Sequence, residues 1–504
     1  MTLGVRGIGA AVVVAAVVGV VFPYATLRLG FGPNVSIVST LLGYAILRAT
    51  RARGRHALHA AHVAGVAAGQ TAFMGVALVA LEILRARHGL AFGARPSLVE
   101  LFVWLASAGV LGIFAALPLR RHYIEDEKLT FAAGAAAAET ILALEAEEGS
   151  RRTPVLAASF AASVAFTALR PIAWAIGPLG VGSGILLGAR VALSMGLGWG
   201  FSRLFPGSVL PWVASALMVS GGLTAAVLRL PALLRAARRG LSTPPDRDAA
   251  ERGQMRWPLV GVGGALLSLC AVDNRALHLP VSLTLTSVAL AAPLLLVGTR
   301  VLGETNWAPV LSLATVAQAA LGVLSPGCVT VTMVGSAVAG AIPNGGQHMM
   351  QSFRAAAIVG ARTRDTVLAQ LLGVIVGAAA LAATSPLFLA PGVTSPLSEA
   401  WATFAEAFAG GTPNVPTLAV ALAGATGVGL ALSEKALRKI APSAAALGIG
   451  MLVPGGLVAG VVIGSALAEG TKRYAPKAAA HGATVASGLV AGEALTAAAL
   501  AALG

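Results

Sequence analysis

The sequence is poor in charged residues. Asp, Glu, Lys and Arg make up 11% of its 504 residues, and 57% of the residues are hydrophobic, whereas charged residues are about a quarter of a soluble protein. Apolar runs of about 20 residues, the length of a membrane-spanning helix, recur along the whole chain. The alternating segments of about ten residues that build a membrane β-barrel are missing. The sequence therefore predicts an all-α polytopic membrane protein.

Cysteine is also scarce, and common catalytic motifs are missing. Cys270 and Cys328 are the two cysteines, and their spacing indicates neither a disulfide framework nor a metal site. The sequence has no Gly-x-x-x-x-Gly-Lys-Ser/Thr loop for nucleotide phosphates, and it has neither His-Glu-x-x-His nor Gly-x-Ser-x-Gly. We therefore expect no cofactor, no catalytic residue and no enzyme. A membrane-embedded enzyme and a passive channel are the alternatives from other functional classes.

The positive charge is confined to short segments between apolar runs. The net charge is +15, and Lys and Arg in cytoplasmic loops orient membrane helices. A nucleic-acid partner would require a basic face with interleaved aromatic residues, which is missing. Residues 231–256 form the longest basic segment, which predicts a cytoplasmic linker between an N-terminal half (1–230) and a C-terminal half (257–504). Two apolar runs precede the basic segment 48–55, so we also expect a cytoplasmic N-terminus in a multi-pass inner (plasma) membrane protein.

The apolar runs predict about 14–16 membrane segments, some of them broken or re-entrant. Three apolar runs lie between the basic edges at 120–128 and 231–256, namely 153–174, 177–204 and 209–228. Three crossings between two cytoplasmic edges is an odd number, so one run must contain two segments or must not cross. A weak similarity between Gly184–Gly200 and Gly448–Gly464 indicates that the two halves are repeats.

The stretch from Thr332 to Ala361 contains the strongest functional signal. An apolar run meets Pro343-Asn344-Gly345-Gly346, which we expect to interrupt the helix. The polar residues that follow are Gln347, His348, Gln351, Ser352 and Arg354. Interrupted backbone is tolerated in lipid only where protein or water covers it, and broken helices with polar side chains form the substrate sites of many carriers. We therefore predict a substrate site here, with helix-end N–H groups open to an anion.

Two other segments carry weaker signals. Leu129–Leu144 is short and rich in small residues, which is typical of a half-helix, and Glu139 lies inside it. An ionisable residue in such a place indicates a function, although an interfacial helix with Glu139 facing water is an equal alternative. The aromatic residues Trp401, Phe404 and Phe408 favour an interfacial helix.

Three histidines follow one another at a spacing of three residues. On a helix, His56, His59 and His62 lie within a turn of one another, which is compatible with metal ligation. Since neither a carboxylate nor a cysteine completes the set, we expect them to lie at the polar start of a helix at the membrane surface. We therefore predict no metal site.

Four stretches, in order over nearly the whole chain, resemble one known family. They are Pro118–Glu139, Gly188–Met195, Met350–Ala361 and Ser487–Leu495. The first resembles the segment EEKLPFPEGTATAE of the oligopeptide transporter superfamily, and the last is close to its ASGLIAGEAL. The resemblance includes the peptide carriers and the yellow-stripe-like metal-chelate carriers, and we expect a bacterial member. It departs from the family at Thr130 and Ala132, which replace prolines, and at His348 and Ser352, which replace acids.

The resemblance implies about sixteen membrane segments in two repeats and a secondary active transporter. We expect proton-coupled transport of oligopeptides or peptide-like small molecules, with uptake of metal chelates as the alternative. A zwitterionic substrate needs guanidinium groups for its carboxylate and amides for its peptide groups. The predicted substrate-binding residues are Arg354, Gln351, Gln347, Arg190, Arg300 and Asn306. The predicted proton-coupling residues are Glu139, Glu493 and His348. The expected partners are the substrate, protons and the lipid bilayer, and Gly-rich helix faces permit a homodimer.

Overall fold

The protein is built from helices. The computed structural model describes residues 4–29, 35–52, 54–89, 95–145, 152–169, 176–228, 231, 256–389, 395–409, 416–437 and 440–503. Within these ranges every regular element is a helix, which confirms the predicted all-α class.

The helices fall into two runs along the chain. The first run is α1 (Val5–Leu29), α2 (Val35–Ala49), α3 (Arg55–Gly69), α4 (Thr71–His88), α5 (Leu98–Ala116), α6 (Ala132–Leu144), α7 (Arg152–Leu169), α8 (Pro178–Leu187), α9 (Ala189–Ser202) and α10 (Leu210–Leu228). The second run is α11 (Arg256–Ala276), α12 (Val281–Thr305), α13 (Val310–Leu324), α14 (Val329–Val359), α15 (Thr363–Phe388), α16 (Pro396–Ala409), α17 (Thr417–Ala436), α18 (Ala444–Leu452), α19 (Gly455–Tyr474), α20 (Pro476–Ala479) and α21 (Gly482–Leu503). Most of the basic segment between the runs lies outside the described residues.

The fold combines long apolar helices with shorter ones. In the described ranges, eight helical stretches are long and apolar enough to cross a membrane. They are Val5–Tyr24, Arg55–His88, Leu98–Leu119, Leu210–Leu228, Pro258–Ala276, Val281–Thr305, Thr363–Phe388 and Thr417–Glu434. Five other apolar helices are 10–17 residues long, which is shorter than the ~20 residues that cross a bilayer. The 13-residue helix α6 is one of them, as predicted for a half-helix.

Helix α14 is not interrupted at Pro343, so that prediction is wrong. The helix runs for 31 residues from Val329 to Val359 with Pro343 inside it. The two glycines that follow allow α5 to approach closely, because a Cβ atom on Gly112 would lie 3.0 Å from Gly345 Cα and 3.1 Å from Gly346 N. Small residues at helix contacts in membranes have this function. Since protein surrounds the segment, the carbonyl that proline leaves without its helical donor is shielded from lipid.

A break at Gly188 separates α8 from α9, and a break at Val453-Pro454 separates α18 from α19. Gly188 has φ +84°, a conformation that glycine adopts without strain. The predicted run 177–204 therefore contains two helical segments.

The helix pair α8 and α9 packs on the pair α18 and α19 through reciprocal glycine contacts. A Cβ atom on any of four glycines would collide with the facing carbonyl oxygen: Gly184 with Val461, Gly464 with Val181, Gly450 with Met195, and Gly198 with Leu447. Counterparts 266 positions apart, such as 184 and 450 or 195 and 461, make equivalent contacts. This is the geometry of two repeated halves related by a two-fold axis. The domain boundaries at residues 230 and 257 stay predictions.

Helix α16, for which an interfacial position was expected, packs inside the fold. Trp401 is fully buried, its ring centroid lies 4.8 Å from that of Phe73, and its carbonyl accepts a hydrogen bond from Gln318 Nε2 at 3.0 Å. Phe404 and Phe408 pack against the ring of Trp212. The aromatic residues therefore fill contacts between helices and do not form a belt at the membrane surface.

Candidate functional site

Two of the predicted arginines meet at one carboxylate. Arg300 Nη1 lies 3.0 Å from Glu127 Oε2, and Arg300 Nη2 lies 2.9 Å from Glu304 Oε1 and 3.2 Å from Glu434 Oε1. Arg190 Nη2 lies 2.7 Å from the same Glu434 oxygen. These five residues, which we name the charged cluster, come from α12, α9, α17 and the segment before α6. The fold therefore joins both halves of the chain through ion pairs.

The charged cluster contains more carboxylates than guanidinium groups. Three glutamates face two arginines, and the side chain of Arg300 is only 8% exposed. His122 Nε2 also lies 2.7 Å from Glu127 Oε1. Buried charge is tolerated when it is paired and hydrogen-bonded, and one carboxylate here exceeds the guanidinium count. A proton or another cation would complete the balance.

The charged cluster lies at the start of helix α18. Ser443 is the N-cap of this helix, and its Oγ accepts a hydrogen bond from Ala446 N at 3.2 Å. The same hydroxyl donates to Glu304 Oε2. A small cavity beside it has about 10 Å³ of space for the centre of a water molecule, which is room for about one water. The cavity is lined by Gly221, Gly222, Arg300, Val301, Glu304, Ala431, Glu434, Ser443, Ala444 and Ala445.

The counterpart helix α8 also has a glutamate at its N-terminus. Glu493, which was predicted to couple protons, is 9% exposed and its Oε2 accepts a hydrogen bond from Leu179 N at 2.7 Å. A negative group is favourable at a helix N-terminus because N–H groups and the helix dipole point at it. Helices α8 and α18 therefore both begin with a carboxylate close to the first turn, directly in α8 and through Ser443 in α18.

The polar face of α14 begins against α12, the helix that carries Arg300. Gln347 is fully buried, and neither atom of its side-chain amide has a hydrogen-bond partner in the described part of the chain. It packs on α12 at Gly298, where a Cβ atom would lie 2.7 Å from Gln347 Nε2. Gly298 is two residues before Arg300, a spacing at which side chains lie on different faces of a helix, so this contact places Gln347 beside α12 and not beside the Arg300 side chain. Gln351, one turn further along α14, is 6% exposed.

Asn306 has a structural partner. It ends α12 in the left-handed conformation, with φ +60°, and its Oδ1 accepts a hydrogen bond from Ala133 N at 2.7 Å. Nearby, Phe131 N donates to Gly303 O at 3.1 Å. These contacts hold the first turn of α6 against the end of α12. The side chain of Asn306 positions a half-helix, and its predicted contact with substrate stays a prediction.

The remaining predicted site residues lie on α14 and α6. His348 and Arg354 are half-buried, and in the described residues His348 Nδ1 and Arg354 Nε have no hydrogen-bond partner. Glu139 is half-buried on α6. Ser352 Oγ donates to Gln370 Oε1 at 3.0 Å, which links α14 to α15.

Sequence reasoning missed the three glutamates of the charged cluster. Glu304 follows Arg300 by four residues, a spacing at which opposite charges pair on a helix, so the sequence did contain a signal for it. Glu127 lies in the stretch that resembles the family, but its partner was not apparent. Glu434 is 134 residues from Arg300 and 244 from Arg190, so only the folded chain shows the contact.

The buried histidines were also placed wrongly by the sequence. His56 is exposed at the start of α3 as expected, but His59 is 2% exposed and His62 is fully buried. They face α2 and α15, where Thr40 and Thr366 contact them. Two of the three therefore lie inside the fold.

The eight candidate spans and the buried ion pairs that join the two halves of the chain are typical of a multi-pass membrane protein. The chain matches the family model of the OPT oligopeptide transporter protein over residues 2–244 and 247–503, and it therefore belongs to the OPT oligopeptide transporter family. No curated protein matches the chain. The family consists of transporters and not enzymes, and membership implies transport of oligopeptides or related small molecules.

Proposed function

We propose that the protein is a secondary active transporter that couples the movement of oligopeptides or peptide-like small molecules to protons. The observation that carries this proposal is the sharing of Glu434 by Arg190 and Arg300. A proton on Glu434 removes its negative charge, which frees Arg190 Nη2 and removes one of the three carboxylate partners of Arg300, while Glu127 and Glu304 stay paired with Arg300. A substrate carboxylate can then take the place of Glu434. Loss of that proton restores the ion pairs and displaces the carboxylate. Proton binding and substrate binding are thereby linked.

The substrate site lies between the charged cluster and the polar face of α14. Arg190 and Arg300 bind the substrate carboxylate, since a guanidinium can bind it through two hydrogen bonds. Gln347 and Gln351 bind peptide groups, and Gln347 is the best supported because its buried amide has unused donors and acceptors. Arg354 lies two turns further along the same helix as a second cationic position. Asn306 acts through the position of α6.

The predicted proton-coupling residues act beside the cluster. A proton on Glu493 weakens its hydrogen bond to Leu179 N and leaves the start of α8 open to an anion. Glu139 and His348 provide further protonation sites on α6 and α14. We place the protein in the inner (plasma) membrane, with the N-terminus and the basic linker in the cytoplasm, on the distribution of arginines. A homodimer stays a prediction.

Uptake into proteoliposomes tests the proposal. Purified protein is reconstituted, a pH gradient is imposed, and labelled di- to tetrapeptides and metal chelates are supplied in parallel. We expect accumulation of peptides above the outside concentration, stimulated by the proton gradient and collapsed by a protonophore. Accumulation of chelates alone would select the alternative substrate class, and equilibration without accumulation would identify a channel.

A variant of Glu434 tests whether the charged cluster couples substrate movement to proton movement. Glu434→Gln mimics the protonated carboxyl, so we expect it to retain exchange of substrate but lose accumulation driven by the gradient. The matched control is Glu469→Gln, because Glu469 forms an exposed ion pair with Lys472 at 3.4 Å. Gradient-driven accumulation that survives in Glu434→Gln would contradict the proposed role of this residue.

A further inference from the structure

Helix α3 carries a row of histidines that leads from the surface into the fold. His56 is exposed, whereas His59 and His62, at successive spacings of three residues, are buried. The ring centroids of His59 and His62 are 6.1 Å apart and the rings are tilted by 35°. Neither histidine forms an ion pair with a carboxylate within the described ranges. The hydrogen bonds around each ring show which nitrogen carries the proton.

In His62 the proton is on Nδ1. This nitrogen lies 2.9 Å from the carbonyl oxygen of Ser36, and a carbonyl oxygen only accepts hydrogen bonds. Thr40 Oγ1 lies 3.0 Å from the same nitrogen and donates its own proton to Ser36 O. Nε2 of His62 is consequently a bare lone pair, and it is buried without a hydrogen-bond partner in the described part of the chain.

In His59 the proton is on Nε2. This nitrogen lies 3.2 Å from Thr366 Oγ1. The Thr366 hydroxyl has one proton and donates it to Arg362 O at 3.0 Å, so it accepts from the imidazole. Nδ1 of His59 is therefore also a bare lone pair, again buried and without a partner among the described residues.

Two neutral imidazoles with unused lone pairs lie next to each other, with ring centroids 6.1 Å apart, and are candidate metal ligands. Imidazole nitrogen suits zinc, copper, iron and nickel, whereas magnesium and calcium require oxygen ligands. The described residues contain no group of three or more His, Cys, Asp or Glu arranged to hold a metal ion, so tetrahedral zinc would lack ligands. A monovalent copper ion is stable with two nitrogen ligands and adds a single positive charge to a buried position.

We propose that His59 and His62 bind a monovalent copper ion between α2, α3 and α15. His56 receives the ion at the surface and passes it one turn inward. Ser36, Thr40 and Thr366 hold the two rings in the tautomers that expose Nε2 of His62 and Nδ1 of His59. Such outer contacts orient metal-binding histidines.

A competition titration tests this site. The full-length protein in detergent is titrated anaerobically with Cu⁺ in the presence of bicinchoninate, and Ag⁺ is used in parallel as a probe that does not change oxidation state. We expect binding of a single ion that is lost in His59→Ala and in His62→Ala. Thr366→Val keeps both ligands but removes the acceptor for His59, and we expect its affinity to fall roughly 10- to 100-fold. The control is His88→Ala, because His88 pairs with Glu406 at the surface.

X-ray absorption of the copper-loaded wild-type protein keeps the test independent of variant folding. A coordination shell of two nitrogens with imidazole scattering supports the proposal. A shell that contains sulfur would assign the ion to Cys270 or Cys328 and would overturn it. Failure of the wild-type protein to compete with the chelator would also overturn it, and the lone pairs would then be occupied by buried water.

Discussion

Asn344 Nδ2 donates a hydrogen bond of 3.1 Å to the main-chain carbonyl of Gln70. Gln70 is the joint between α3 and α4, and Asn344 follows Pro343 in the middle of α14. Both residues are buried. The side chain that follows the proline of α14 therefore donates a hydrogen bond to the main chain at the junction of α3 and α4. This junction is buried, so neither lipid nor water supplies the donor.

Removal of this hydrogen bond should destabilise the protein. Asn344→Ala removes one of the two donors to the Gln70 carbonyl, which also accepts from Phe73 N at 3.3 Å, and a hydrogen bond typically contributes about 0.5–1.5 kcal/mol. We expect a lower midpoint of thermal unfolding in detergent. Ser268→Ala is the control, because Ser268 is exposed and bonds only within its own helix, and it should leave the midpoint unchanged. Equal midpoints for Asn344→Ala and wild type would show that this contact contributes nothing.

The reciprocal glycines predict opposite effects of the same substitution. Gly184→Ala and Gly450→Ala place a methyl group against a facing carbonyl. Both should destabilise the packing of α8 on α19 and of α18 on α9, and so lower the midpoint of thermal unfolding. Gly200→Ala meets open space and should stabilise α9, since alanine favours a helix over glycine by about 1 kcal/mol. Thermal unfolding of the three variants measures this. A destabilised Gly200→Ala, or a neutral Gly184→Ala, would contradict the packing described.

Gln347 should matter for substrate binding and not for stability. Its amide has no hydrogen-bond partner in the described residues, so Gln347→Leu loses no internal hydrogen bond and removes the desolvation cost of a buried amide. We expect unchanged or higher thermal stability together with a raised KM for peptide uptake. Gln318→Leu is the comparison, because Gln318 donates to Trp401 O, and it should lose stability. An unaltered KM in Gln347→Leu would remove this residue from the site.

Protonation of Glu493 should change uptake through the hydrogen bond between Glu493 and the N-terminus of α8. Glu493→Gln replaces a carboxylate by a neutral amide at a helix N-terminus, where the negative charge contributes about 0.3–1 kcal/mol. We expect a small loss of stability and a weaker dependence of uptake on external pH. Uptake measured across a series of pH values checks this. A pH profile identical to that of the wild type would exclude Glu493 from coupling.

How far the sequence predicts this molecule depends on the range of the interactions involved. The helices and the short helix α6 follow from local apolar length, whereas the sequence left open which of the three runs between residues 153 and 228 contains two segments. Pro343 was misread because its effect on α14 depends on the burial supplied by α5. His59 and His62 were misplaced because α2 and α15 cover them. The ion pairs of Arg190 and Arg300 with Glu434 depend on tertiary packing, so no local sequence pattern predicts them.

Proton uptake on substrate binding is the most direct measurement of the central claim. Purified protein in weakly buffered detergent solution receives a transported peptide while a pH indicator records protons taken up. If Glu434 must be protonated before Arg190 and Arg300 can bind a carboxylate, the wild type takes up protons on binding and Glu434→Gln does not. Peptide binding to the wild type without any proton uptake would contradict the account.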